Sequence, residues 1–178
     1  MQAIDHGGSA IRRVVDLTEA TIAQLAGVLV DCVEGGASVH FMHPLELGRA
    51  EAFWRKLGPG IAEGARIVLV AEDATGIVGT IQLALDQPEN QPHRAEISKM
   101  LVHRHARRRG IGSALMRAAE REARAAGKSL LVLDTVTGGD AERVYRRLGW
   151  ILVGVIPDYA LLPDGGFCST SVYYRKLD

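Results

Sequence analysis

Apolar residues recur along this chain with two alternating periods, and the switches between them mark out its elements. Over residues 18–34, Ile22, Leu25, Leu29 and Val33 fall three or four apart behind Thr18, the spacing of one buried helix face with a hydroxyl cap. Before it, Ala10–Val15 is short and β-like; after it, Gly35-Gly36 is a stop. Residues 35–44 make a loop of small, hydroxyl, imidazole and aromatic groups, and Leu45–Leu57 predicts a second helix ending at Gly58-Pro59-Gly60. Ala65–Ala71 and Ile77–Leu85, rich in β-branched and aliphatic residues and separated by Glu72-Asp73-Ala74-Thr75-Gly76, predict a hairpin.

A loop with Pro88, Asn90 and Pro92 leads to a central strand, Ala95–Val102. Helical spacing returns over Gly110–Ala126 through Ile111, Leu115, Ala118, Ala119 and Ala123, with Gly127 behind it. Ser129–Thr135 is a continuous apolar run, as expected of an interior strand. Asp140–Leu148 reads as a short helix and Trp150–Ile156 as a strand. A loop with Pro157, Pro163, Gly165 and Gly166 precedes a last strand, Cys168–Lys176. The order β-α-α-β-β-β-α-β-α-β-β describes an α/β (mixed α+β) sheet flanked by helices.

Composition narrows what such a domain can do. A chain of 178 residues, 47% hydrophobic, is the size of one globular domain, and 1–178 is read as one. Lys plus Arg number 21 and Asp plus Glu number 21, so no protein-wide field draws in nucleic acid or an anionic membrane, and any basic site must be local. The two cysteines, Cys32 and Cys168, form no C-x-x-C pair, and no run approaches the roughly 20 apolar residues of a membrane span. A soluble protein of the reducing cytoplasm is expected.

The one local basic site stands between the central strand and the long helix, in Arg104-His105-Ala106-Arg107-Arg108-Arg109-Gly110-Ile111-Gly112-Ser113. A strand, a tight glycine loop and a helix N-terminus gather unpaired backbone N–H groups and positive charge around one small volume, a place for a phosphate. Arg107, Gly110 and Gly112 fit R-x-x-G-x-G. The same arginines could contact nucleic acid, but the balanced total charge argues against it. His40, His43, His103 and His105 have no metal-ligand spacing on one element, so no metal is expected. Two carboxylates stand where a base could: Glu96 on the strand feeding the loop, and Asp134 at the carboxyl end of Leu133-Asp134-Thr135.

With Ala141, Tyr145, Gly149 and Trp150 matching A-x-x-x-Y-x-x-x-G-[FW], the chain resembles the GNAT acetyltransferase superfamily. The resemblance implies acetyl-CoA as co-substrate, no metal, and the GNAT acyl-CoA N-acyltransferase fold with a central, mostly antiparallel sheet. It implies pantetheine pairing with the backbone of Met100, Leu101 and Val102, and pyrophosphate on Arg107, Arg108, Arg109, Gly110, Ile111, Gly112 and Ser113. Tyr145 would be the acid for the departing thiolate, with Glu96 or Asp134 as base. Many members carry Asn seven residues before the tyrosine, where this chain has Gly138, so that contact is expected to be absent.

Gly35-Gly36-Ala37-Ser38-Val39, Phe41-Met42, Arg94-Ala95-Glu96, Leu133-Asp134-Thr135 and Pro157-x-Tyr159 before Pro163-Asp164-Gly165 are similar to the tabtoxin-resistance acetyltransferases, which inactivate a β-lactam amino-acid toxin. That likeness implies a small-molecule amine as partner, with Ser38, Phe41 and Tyr159 lining its pocket. A peptide N-terminal acetyltransferase, or a coenzyme A-binding sensor without turnover, are the rival readings. A homodimer is compatible with the sequence.

Overall fold

A computed structural model describes residues 9–177. Strands β1 (Ala10–Arg13), β2 (Arg66–Asp73), β3 (Gly76–Ala84), β4 (Arg94–Val102), β5 (Leu130–Val136), β6 (Ile151–Leu161) and β7 (Phe167–Lys176) form one seven-stranded sheet in the order β1-β2-β3-β4-β5-β7-β6. Every neighbouring pair is antiparallel except β4–β5, so the sheet is mixed and mostly antiparallel, as expected. Helices α1 (Glu19–Glu34), α2 (Leu47–Arg55) and α3 (Gly58–Ala62) precede β2; α4 (Ile111–Ala125) and α5 (Asp140–Arg147) flank β5 in sequence.

Two apolar cores follow from the alternation along the strands. Ile67, Leu69 and Ala71 of β2 pack with Ile97, Leu131 and Leu133 against Leu115, Met116 and Ala119 of α4. Val68 and Val70, one residue out of step, pack on the other face with Leu25, Leu29 and Trp54 of α1 and α2. Both faces of the β1–β4 half are thereby covered. Thr18 caps α1 through the amide of Thr21 at 3.2 Å, as its position in the sequence suggests.

Two expectations are corrected. Gly58-Pro59-Gly60, read as a stop, opens the short helix α3, because a proline in the first turn forfeits no intrahelical bond. Strand β6 does not end at Ile156 but runs to Leu161, with a register irregularity between Ile156 and Ala160 that absorbs Pro157 and the left-handed Asp158 (φ 50°). Proline is tolerated there because β6 is the last strand of the sheet, its outer edge pairing with no other strand among the described residues. Trp150, expected to start that strand, lies just before it, buried, with its indole N–H donating to Glu120 Oε1 at 3.1 Å.

The fold positions a site through one interruption. Parallel pairing of β4 with β5 covers only Arg94–Glu96 against Leu130–Val132. Beyond that point β5 follows β7 while β4 follows β3, and the two strands part.

Candidate active site

The loop between β4 and α4 is held by side chains that the basic run itself provides. A short 3-10 turn, Arg104–Ala106, is clamped to α1: Asp31 accepts from the Arg104 amide and guanidinium, both at 2.8 Å. Burial pushes the Asp31 carboxyl up, but these bonds prevail and hold it below its usual range. Arg107 donates to Val102 O at 3.2 Å, and Arg109 pairs with Asp73 at 2.9 Å. Arg104 thus serves the architecture, as do parts of Arg107 and Arg109.

Arg108 and Gly110 both take left-handed backbone (φ 64° and 80°), which turns the chain sharply into α4. No acidic residue occupies the first turn of α4, so its open N–H groups, at Ile111, Gly112 and Ser113, carry undiminished positive potential. Beside them lies a cleft of about 370 Å³ lined by Arg109, Gly110, Ser113, Ala114, Arg117, Arg147 and Leu148. Its polar lining is cationic or hydroxylic and suits a phosphorylated ligand. Arg117 and Arg147 were not singled out in the sequence, because they come from the second turn of α4 and the end of α5 and meet only in the fold.

From this cleft the parting of β4 and β5 leads toward the opposite face of the sheet. Met100, Leu101 and Val102 line the β4 side; β4 there has β3 but no β5 to bond, leaving backbone groups open to a strand-like ligand. The Val102 carbonyl is already engaged by Arg107 and by the Cys32 thiol at 3.5 Å.

Glu96 and Asp134 share one face, since Glu96 stands opposite Val132, and Asp134 lies two residues further along β5. Their surroundings differ. Glu96 is half exposed and bound to Arg94 at 2.6 Å. Asp134 accepts from Thr170 Oγ1 at 3.1 Å and is close enough to His40, Lys99 and Tyr145 to bias the charge of all three. Tyr145 is buried between Trp150 and Tyr173, ring centroids 6.1 and 5.9 Å away, and its phenol is pushed well above its ordinary value, first by burial and then by Asp134. Among the described residues its hydroxyl has no hydrogen-bond partner.

The end of the cleft beyond Asp134 is roofed by two segments far apart in sequence. Ser38 Oγ donates to Leu161 O at 2.8 Å, the His43 amide donates to Pro163 O at 3.0 Å, and His43 Nδ1 lies 3.3 Å from Asp164. The β6–β7 hairpin is thereby fastened over residues 38–43. Phe41 stacks edge-on against Phe53 at 5.4 Å, and Tyr159 is exposed on the hairpin.

Beneath the loop lies a residue the sequence did not point to. Lys99 is 8% exposed, and a bulge in β4, two residues facing one of β3, gives it left-handed backbone (φ 51°). Its Nζ is 3.0 Å from His40 Nδ1 and over the Phe53 ring at 5.4 Å. Burial lowers its ammonium to about 8, with Asp134 pulling it up and Arg66 pushing it down. His40 is lowered in turn, chiefly by the Lys99 charge, so its neutral ring accepts from that ammonium. A bulge shifts the phase of a strand without leaving a mark in its hydrophobic pattern, which is why this lysine was missed.

Residues 39–150, more than half of the chain, match the acetyltransferase (GNAT) family. Among solved structures, an N-acetyltransferase from Staphylococcus aureus Mu50 superimposes with a TM-score of 0.78 at 17% identity, covering 96% of this chain and 99% of that one. The protein yncA from Salmonella typhimurium, whose structure holds its cofactor acetyl-CoA, gives 0.77 at 19% identity over 96% and 95%. A ribosomal-protein-alanine N-acetyltransferase from Brucella melitensis gives 0.77 at 24% identity over 94% and 99%. Among the described residues no helix is long and apolar enough to cross a membrane, and no group of three or more His, Cys, Asp or Glu is gathered to hold a metal.

Proposed function

This chain belongs to the GNAT acetyltransferase family, and from that premise we propose that it transfers the acetyl group of acetyl-CoA directly to the primary amine of a small, amino-acid-like molecule. The observation that carries this reading is the alignment of three features along one path. They are the cationic cleft at the start of α4, the open β4 edge, and Asp134 beside Tyr145 where β4 and β5 part. The coenzyme's phosphates fit the first, its pantetheine amides the second, and its thioester reaches the third. A tabtoxinine-like β-lactam or another amino-acid toxin is an acceptor of the right kind, and the two unpaired cysteines suit the reducing cytoplasm.

Asp134, rather than the Arg94-bound Glu96, takes the proton from the attacking ammonium. Amine nitrogen then bonds to the thioester carbon, the C–S bond breaks, and the thiolate departs toward Tyr145, where it takes up the second proton that the nitrogen sheds as the amide forms, leaving as the thiol. The raised phenol keeps its proton and stabilises a thiolate, an ordinary thiol titrating near 8.5, by donating a hydrogen bond. No acetyl-enzyme forms.

Acceptance of a peptide N-terminus is the second reading, and the ribosomal-protein acetyltransferase of the same fold gives it weight. The hairpin fastened over residues 38–43 favours the small acceptor, because it closes the end through which a peptide would leave. Thiol release from acetyl-CoA, measured across amino acids, β-lactam amino acids, polyamines and N-terminal peptides, tests both. Release with small amines is expected. Release with peptides alone would transfer the assignment to the second reading, and tight coenzyme binding with silence across the panel would make the protein a sensor.

A further inference from the structure

The face of the sheet that receives the acceptor collects hydrogen-bond donors with no carboxylate in contact among the described residues. Lys99 brings an ammonium with no carboxylate within 4 Å among the described residues, held on a backbone conformation costing about 1 kcal/mol for a residue with a side chain. Gln82, on β3 and 1% exposed, is opposite Ser98, the residue before the bulge. Its side-chain Oε1 accepts from Arg66 at 3.0 Å, which fixes the amide and leaves Nε2 buried with no partner. Arg66 itself has no carboxylate partner among the described residues and is near enough to push Lys99 toward neutrality. The charged and titratable groups that bear on Lys99 are therefore His40 from the loop, Arg66 from β2 and Asp134 from β5, and only the last is anionic.

A buried donor without a partner, such as Gln82 Nε2, costs about 1–3 kcal/mol, and a buried ammonium bonded only to a neutral ring lacks a contacting counter-charge, so such a cluster persists where a ligand completes it. Resting on the reading above, we propose that Lys99 and Gln82 form an anion subsite for the acceptor, so that the substrate is an amine carrying a carboxylate a few bonds from its nitrogen. The acceptor's ammonium faces Asp134 and its carboxylate faces Lys99, with His40 holding the lysine in place from the loop. Both ends of a zwitterion are thereby neutralised, and the amine is turned toward the place where the strands part.

The test compares L-alanine, β-alanine and L-glutamate with their carboxamides, by thiol release and by thermal shift of the coenzyme A-bound protein. Wild type should favour each acid over its amide by about tenfold or more in kcat/KM, mainly through KM, and the acids alone should raise the melting temperature. In Lys99→Met both preferences should collapse to within about threefold, and Gln82→Met should give a partial loss. Equal handling of acid and amide by wild type, or an acid preference that survives Lys99→Met, overturns the inference. If no amine is turned over, the thermal shift still decides the anion subsite while the proposed reaction falls separately.

Discussion

Asp134 and Glu96 looked equivalent along the chain, and their neighbours separate them. Asp134 lies among Tyr145, Lys99 and His40, while Glu96 spends its charge on Arg94. Asp134→Asn should lower kcat/KM by about a hundredfold or more, the usual worth of a general base, and Glu96→Gln by less than about tenfold. Steady-state kinetics on the first acceptor found would check both. Tyr145→Phe should reduce kcat by about tenfold to a hundredfold and leave acetyl-CoA affinity near wild type, since the lost hydrogen bond forms only as the thiolate appears.

Lys99 allows a prediction of opposite sign. Below about pH 8 both folded and unfolded lysine are protonated and the fold bears the burial cost; between 8 and the ordinary value near 10.4 only the folded chain sheds the proton. Stability therefore rises across that window. Lys99→Met should be more stable than wild type at pH 7 by on the order of 1–3 kcal/mol, with the gap narrowing toward pH 10. Urea unfolding at pH 7, 8.5 and 10 measures it.

Elements carry the site by their irregularities more than by their regular parts. The bulge in β4 aims Lys99, the left-handed Arg108 and Gly110 aim α4, and the fastened hairpin closes the end of the cleft beyond Asp134. Ser38→Ala removes one fastening; a loss of about 1 kcal/mol and a raised acceptor KM are expected, with coenzyme affinity unmoved in calorimetry. Gly138, between β5 and α5, has φ 80° and open space where a Cβ would stand. Asparagine tolerates that conformation, so Gly138→Asn should change stability by under about 0.5 kcal/mol and tighten acetyl-CoA binding if the side chain reaches pantetheine. The basic loop before α4 was legible because its chemistry is local: glycine, arginine and a helix start within ten residues. Strand β6 was cut short because Pro157 reads as a terminator until the neighbouring strands show that its edge is unpaired.

At the scale of the molecule, the sheet is a seven-stranded platform interrupted once. Coenzyme lying along that interruption would touch β4, α4 and α5 together. Acetyl-CoA at about a hundred times its dissociation constant should add about 2.7 kcal/mol, or roughly 5–10 °C in melting temperature, and no shift would remove the proposed coenzyme site.

The sequence alone determined the order of the seven strands and of helices α1, α2, α4 and α5, the basic loop before α4 and the tyrosine helix, because periodicity and short motifs record what each segment buries and how it turns. Tertiary structure decided the rest. Which carboxylate stands beside Tyr145, which arginines from two helices form one cleft, and why a lysine from an interior strand ends buried under a distant loop all depend on strand register and on one bulge. Those are set by pairing between segments tens of residues apart, and no local pattern carries them.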